Sequence, residues 1–159
     1  MPYNETQTPD GKGLGGQAAP YDADARMRID AVLSDAAVHY RAALRASPEA
    51  RRYLQGRGIG GAIAARFGLG YARPAYQDLA AVLQSYDDAT LVASGLVVVK
   101  GDQGKGEARH VDRFRGRVMF PLRDRFGLLA GLGGRLLDGT APKYLNAPEG
   151  PTFRKRELL

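Results

Sequence analysis

Apolar residues recur at helical spacing from Ile29 onward. Leu33, Ala37, Tyr40 and Leu44 follow it at intervals of three or four positions. Side chains spaced in this way share one face of an α-helix. The pattern therefore predicts an amphipathic helix of about 16 residues that begins at Ile29.

Capping residues predict further helices after the first. Ser47 followed by Pro48 is a typical N-cap with a proline in the first turn, and the helix that it opens should stop at Gly56. Residues 61–67 look like a short third helix. A brief extended segment is expected at 69–71.

The segment between Pro74 and Gly95 is also predicted to be helical. Over residues 76–86 we expect a helix whose Leu79, Val82 and Leu83 side chains point inward. Asp87 or Asp88 can cap one more helix, which Gly95 would terminate.

After Gly95 the pattern changes to short runs typical of β-strands, separated by glycine-rich turns. The runs cover residues 96–99, 110–114, 117–122 and 128–133. Helices first and strands later predict an α+β fold, with N-terminal helices followed by a small, mainly antiparallel sheet.

The first part of the chain has a different composition. Residues 1–28 are polar, rich in glycine and proline and almost free of bulky aliphatic side chains. Such a segment buries too little apolar surface to offset its ordering entropy. We therefore expect a flexible linker or tail at 1–28 and one domain at 29–159.

Composition limits the classes of protein that remain. The chain has no cysteine and two histidines, so a thiolate zinc site cannot form in it. It has no apolar run long enough for a membrane span and no signal-peptide pattern, and we expect a cytoplasmic protein.

Positive charge is concentrated in the second half of the chain. The net charge is +6, and residues 101–159 carry twelve basic and seven acidic residues. This distribution favours a polyanionic partner, because each neutralised phosphate releases condensed counterions. A solvated basic surface is an equally good interpretation of the charge alone.

Three arginines stand at alternate positions, Arg113, Arg115 and Arg117. In a strand, alternate side chains share a face, so the guanidinium groups would lie roughly 6–7 Å apart, close to the spacing of successive phosphates. A phosphate-binding strip is one interpretation. An edge strand protected by charge is the other.

Two later segments offer polar groups beside glycine or an aromatic ring. Arg135 follows two glycines, where the backbone can approach a ligand, and Lys143, Tyr144 and Asn146 occur in one short run. A cation, a stacking surface and an amide are the groups that a nucleotide requires. On its own, the run is better interpreted as a surface turn with a buried tyrosine.

These segments together resemble the DnaG-type primases of bacteria. The similarity lies in the order and spacing of residues 112–122, 133–135 and 142–146, followed by Phe153 and Lys155. Further similar segments lie upstream at residues 53–59, 66–72 and 95–97. The resemblance therefore extends over roughly residues 30–159.

The resemblance implies the N-terminal subdomain of the catalytic, RNA-polymerase core. In such primases a zinc-binding domain precedes this region and a Toprim subdomain follows it, and neither is found in this sequence. The carboxylates that bind Mg²⁺ or Mn²⁺ belong to the Toprim subdomain. We therefore expect no catalytic residue, no metal and no cofactor in this fragment, and no primer synthesis by it alone, although zinc and Mg²⁺ or Mn²⁺ are implied for the complete enzyme.

By the same resemblance, the complete enzyme copies single-stranded DNA into short RNA primers beside the replicative helicase, which it contacts through a missing domain. Arg135, Lys143 and Lys155 would face triphosphate or template phosphate, while Tyr144 and Asn146 would position the nucleotide. The alternative is a stand-alone, non-catalytic nucleic-acid-binding module. The implied nucleotide- and template-binding residues are Arg113, Arg115, Arg117, Arg135, Lys143, Tyr144, Asn146 and Lys155.

Overall fold

The computed structural model describes residues 23–101, 109–137 and 144–146. Its α-helices are α1 (Ala23–Arg45), α2 (Pro48–Gly56), α3 (Gly61–Arg66) and α4 (Asp88–Ala93), and one short 3₁₀ helix covers Leu79–Ala81. None of the described helices is long and apolar enough to cross a membrane.

All strands except the first come after the last helix in the sequence. The strands form two antiparallel units. One is a four-stranded sheet with the order β1-β4-β5-β6, and the other is the hairpin β2-β3, called here the ribbon. This arrangement confirms the predicted α+β fold. The strands are β1 (Gly70–Ala72), β2 (Val97–Lys100), β3 (Arg109–Asp112), β4 (Arg117–Arg123), β5 (Leu129–Leu136) and β6 (Tyr144–Asn146).

Local signals in the sequence predicted the helix ends well. The Ser47 hydroxyl accepts a hydrogen bond from the Ala50 N–H, and the Asp87 carboxylate accepts one from the Thr90 N–H. Gly68 and Gly95 follow α3 and α4 with φ of 71° and 81°. Because these are contacts between near neighbours, the sequence alone was sufficient to predict them.

The predicted boundary between the linker and the first helix was wrong. Helix α1 begins at Ala23, so residues 23–28 belong to it and not to the predicted linker. These residues favour a helix but carry no apolar stripe, and Met27 is 68% exposed. Residues 1–22 of the predicted linker lie outside the described residues.

The helix predicted over residues 76–86 is replaced by bends and the 3₁₀ turn Leu79–Ala81. The Tyr76 carbonyl accepts a hydrogen bond from the Asp112 N–H at 2.7 Å, which takes it out of any helical ladder. Leu79 and Leu83 are buried as predicted, whereas Val82 is exposed.

Each face of the four-stranded sheet is covered by its own apolar cluster. The first cluster joins most of α1 to Ala72, Phe114, Met119 and Leu132. The second joins the end of α1 and helices α2 and α3 to Tyr71 and Val118. Successive strand residues alternate between the faces, so Ala72 and Tyr71 enter different clusters.

Helix α1 lies against β1 with no side chain between them at Gly70. A Cβ atom added at Gly70 would be 2.6 Å from Tyr40 Cβ and 2.7 Å from the Tyr40 carbonyl carbon. Both distances are far below van der Waals contact. Gly70 therefore sets how closely α1 approaches the sheet.

We predict that Gly70→Ala destabilises the domain by roughly 1–3 kcal/mol, because the helix must move away from the sheet. Gly61→Ala is the matched control: an added Cβ there has no neighbour within 4 Å. That control should be neutral or stabilising by up to about 1 kcal/mol. Urea unfolding followed by circular dichroism measures both, and equal stabilities for the two variants would contradict the role of Gly70.

Candidate nucleic-acid interface

The three alternating arginines do not form the predicted strip along one strand. Strand β3 ends at Asp112 and β4 begins at Arg117, so Arg113 and Arg115 lie in the connection between them. Gly116 has a φ of 65°, a left-handed conformation that turns the chain into β4. The predicted spacing was wrong because the pattern was taken as one uninterrupted strand.

Arg113 and Arg115 are nevertheless brought to a common place beside the ribbon. They line a cavity of 460 Å³ together with Val98, Val99, Lys100 and Gly101. Arg115 Nη1 donates a hydrogen bond to the Asp112 carbonyl at 2.7 Å, and its guanidinium carbon lies 4.7 Å from the centroid of the Tyr76 ring. Both contacts hold the cation in one orientation.

A second cavity, of 560 Å³, adjoins the ribbon and shares Lys100 with the first. Tyr76, Gln77, Arg109 and Val111 also line it. Lys100 and Arg109 are exposed, stand directly opposite each other in the β2-β3 register, and form no ion pair with a carboxylate in the part of the chain that the structure describes. Neither residue was predicted as a site residue, because each lies one position outside the strand run expected from the sequence.

The ribbon surface is defined here as these two cavities with their four cations. Like charges directly opposite each other in a sheet are destabilising. A surface that keeps such a pair is suited to an anion that neutralises it. The four cations are Lys100, Arg109, Arg113 and Arg115.

Arg117 lies beneath this surface and is only 4% exposed. Burial lowers its pKa from the usual arginine value, and the neighbouring charges of Arg115 and Arg113 add to the effect. Its side chain passes Gly134, where an added Cβ would be 3.1 Å from Arg117 Cδ. The guanidinium therefore offers little surface to a phosphate.

Arg135 lies on the opposite face of the sheet. It pairs with Val118, whereas Arg117 pairs with Leu136, and adjacent positions along a strand face opposite sides. Arg135 Nε donates a hydrogen bond to Tyr53 Oη at 2.7 Å, and the Arg57 guanidinium carbon lies 4.9 Å from the Tyr53 ring centroid. The predicted site residues thus fall into two groups.

The sequence analysis also missed Tyr53 and Arg57 as site residues. They are four positions apart in α2, which places them on the same side of a helix. The spacing of these two residues could have been recognised in the sequence of the upstream segment 53–59. Their link to Arg135 could not, because 82 positions separate Tyr53 from Arg135.

The remaining predicted residues belong to β6 or lie beyond the described part of the chain. Tyr144 stands opposite Arg135 in the register, and Asn146 stands opposite Gly133. Lys143 and Lys155 lie outside the described residues.

Within residues 23–101, 109–137 and 144–146, no three carboxylate or imidazole groups come together as metal ligands. The described residues therefore do not fit the divalent metals that the resemblance implies for the complete enzyme. What they bring to the site is charge and positioning.

The sequence matches the family model of the DNA primase catalytic core, N-terminal domain, over residues 39–159. The chain belongs to this family. The DNA primase of Neisseria meningitidis is 43% identical over 120 residues, which cover 76% of this chain and 19% of that protein. The primase of Pseudomonas aeruginosa is 45% identical over 134 residues, 80% of this chain and 19% of that protein.

Solved primase structures share the fold. The DnaG primase catalytic domain bound to ssDNA gives a TM-score of 0.73 at 34% identity, covering 84% of this chain and 41% of that one. The zinc-binding and RNA-polymerase domains of the Aquifex aeolicus primase give 0.71 at 28% identity, covering 94% and 37%. The resemblance inferred from the sequence is confirmed, and the stand-alone module is not favoured. This primase domain spans about a fifth of the length of the curated relatives it matches.

In this primase domain Asp112 connects the ribbon surface to the core. The residue is 3% exposed, its Oδ2 accepts a hydrogen bond from the Leu79 N–H at 3.1 Å, and its carbonyl holds Arg115. Burial raises the pKa of the carboxyl to about 6, which the Leu79 N–H opposes and the nearby Asp78 carboxylate reinforces. Ionisation of Asp112 therefore lowers the stability of the folded state.

We predict that Asp112→Asn changes how stability depends on pH. In the unfolded chain an aspartate has a pKa of about 3.9. Below pH 4 Asp112 is therefore protonated in both states and does not lower the stability of the folded parent. That stability is lost as the pH rises through about 6, where Asp112 ionises in the folded state. Between pH 4 and pH 7, the free energy of unfolding of the variant should rise by on the order of 2–3 kcal/mol relative to that of the parent. Urea unfolding across this pH range tests it, and parallel curves for variant and parent would show the assignment to be wrong.

Proposed function

We propose that this chain is part of a cytoplasmic DNA primase that synthesises short RNA primers on single-stranded DNA, acting as a DNA-directed RNA polymerase. In that enzyme the domain contributes basic residues that bind template and nucleotide. Family membership over residues 39–159 and relatives that are DNA primases support this proposal. Contact with the replicative helicase is assigned to another part of the complete enzyme.

The ribbon surface carries the proposal. Its four cations surround two adjoining cavities, and two of them, Lys100 and Arg109, face each other without a neutralising carboxylate in the described ranges. Arg115 is already held by Tyr76 and the Asp112 carbonyl, so binding a phosphate costs it little further side-chain entropy. The sugar-phosphate backbone of a nucleic acid, with its regularly spaced phosphates, is the anion that these four cations fit. The DnaG catalytic domain that was solved bound to ssDNA shares this fold and supports the choice of ligand.

The individual roles in this proposal combine the family resemblance with the positions of the described residues. Arg113 and Arg115 meet template phosphates at the ribbon surface, and the buried Arg117 adds positive charge close to both. Arg135, with Tyr53 beside it, meets phosphate on the other face of the sheet. Tyr144 and Asn146, in strand β6, help to position the nucleotide, and Lys143 and Lys155 bind triphosphate or template phosphate.

We predict that the chain binds a single-stranded oligonucleotide with a salt dependence set by its phosphate contacts. Three or four contacts would give a slope of log affinity against log salt of about −2 to −3. Lys100→Ala with Arg115→Ala should weaken binding at least fivefold at low salt and make the slope shallower by about 1.4, because two contacts are lost. Fluorescence anisotropy with a labelled oligonucleotide at several salt concentrations measures both quantities.

The matched control is Arg52→Ala with Arg66→Ala, which removes the same charge from exposed positions away from the ribbon. It should bind like the parent. An equal loss in the control would mean that the net charge of the domain attracts DNA without a defined surface. A salt-independent affinity of the parent would overturn the proposal altogether.

A further inference from the structure

A separate cavity of 420 Å³ lies between the end of α1, α2 and α3, and is called here the helical cavity. It shares no lining residue with the two cavities of the ribbon surface. Its volume is within the range of pockets that hold a ligand or an anchoring side chain. The apolar residues that line it are Leu44, Leu54, Ile59, Ala64, Ala65 and Leu69.

The rim of the helical cavity carries charge of one sign. Arg41 and Arg45 stand one turn apart on α1, and Arg51 stands on α2. No acidic residue lines the cavity, and none of these guanidinium groups forms an ion pair with a carboxylate of the described residues. The site thus combines an aliphatic floor with an unneutralised cationic rim.

This combination does not suit nucleic acid. The lining has no aromatic side chain on which a base could stack, and an aliphatic floor offers no partner to the polar edges of a base. It suits a ligand with an apolar body and carboxylates around it. The cations are distributed over two helices, so they can pair with several carboxylates spaced along a chain, more than a single anionic group would supply.

The mouth of the helical cavity is open on the side of α3. Gly60 and Gly61 line it there, and a Cβ added to either would meet no atom within 4 Å. Backbone without side chains leaves room for a segment to pass across the opening. Gly61 and Ala65 are four positions apart on α3, so larger side chains there would fill the space.

We propose that the helical cavity is a docking site for an acidic segment of a partner protein, which inserts one large apolar side chain into the aliphatic floor. The carboxylates on either side of that anchor pair with Arg41, Arg45 and Arg51. Burial of one anchor in a preformed pocket, surrounded by charge pairs, is how short segments bind with specificity. The helical cavity shares no lining residue with the ribbon surface, and the proposal does not depend on that surface.

The test titrates the ¹⁵N-labelled chain with a ten-residue peptide of aspartate and glutamate around one central phenylalanine, followed by NMR chemical shifts. We expect shifts concentrated in the cavity-lining segments 41–45 and 59–69. Replacing the phenylalanine by serine, or using the variant Ala65→Leu, should weaken binding at least tenfold. Arg45→Ala with Arg51→Ala should weaken it at least fivefold, while the control Arg52→Ala with Arg66→Ala keeps the affinity of the parent.

Other outcomes would overturn the proposal. Shifts confined to the ribbon surface, equal affinity of the serine peptide, or unchanged binding by Ala65→Leu would each show that the helical cavity does not hold the anchor. Octanoate and a single-stranded oligonucleotide are run beside the peptide. If either binds the cavity-lining segments 41–45 and 59–69 more tightly than the peptide does, the cavity is a site for a small amphiphile or for nucleic acid and not for a protein segment. Absence of any binding at millimolar peptide also rejects the proposal.

Discussion

The contact between the Tyr40 backbone and Gly70 determines how the rest of the domain is arranged. At this point α1 rests on β1 without an intervening side chain. The earlier part of α1 then packs against one face of the sheet, and its end, at Ala43 and Leu44, packs with α2 and α3 against the other. Because β1 pairs with β4, and β4 with β5, a change in the distance between α1 and β1 would alter the packing of both apolar clusters.

The same sheet divides the basic residues into two groups. Arg117 and Arg135 occupy neighbouring rows of the β4-β5 register and therefore face opposite sides. One side leads to the ribbon surface, and the other leads to Tyr53 and Arg57 on α2. A ligand that contacts both groups would have to pass around an edge of the sheet. The family assignment alone gives no reason to expect this division.

The sequence predicted those features that depend on near neighbours. The caps at Ser47 and Asp87 and the glycine stops involve residues a few positions apart, and they were predicted correctly. The helix expected over 76–86 failed because β3, far away in sequence, takes the Tyr76 carbonyl as a partner. The arginine strip failed because β3 ends before Arg113, and Gly116 then turns the chain into β4 with a left-handed conformation that no periodicity reveals. Which residues are basic was evident, but which of them meet depends on pairings such as Arg135 with Tyr53.

Asp112 has a position with consequences for how natural variation in this domain is interpreted. Its carboxylate fixes the turn at Leu79, its N–H binds the Tyr76 carbonyl, and its own carbonyl orients Arg115. The Tyr76 backbone and the Arg115 cation are therefore both hydrogen-bonded to backbone atoms of one residue. A substitution of the Asp112 side chain would act on the proposed binding surface through the turn at Leu79, without touching the ligand. A survey of variants would then count Asp112 among the residues that contact the ligand. A joint displacement of Tyr76 and Arg115 would reveal that the substitution acts indirectly.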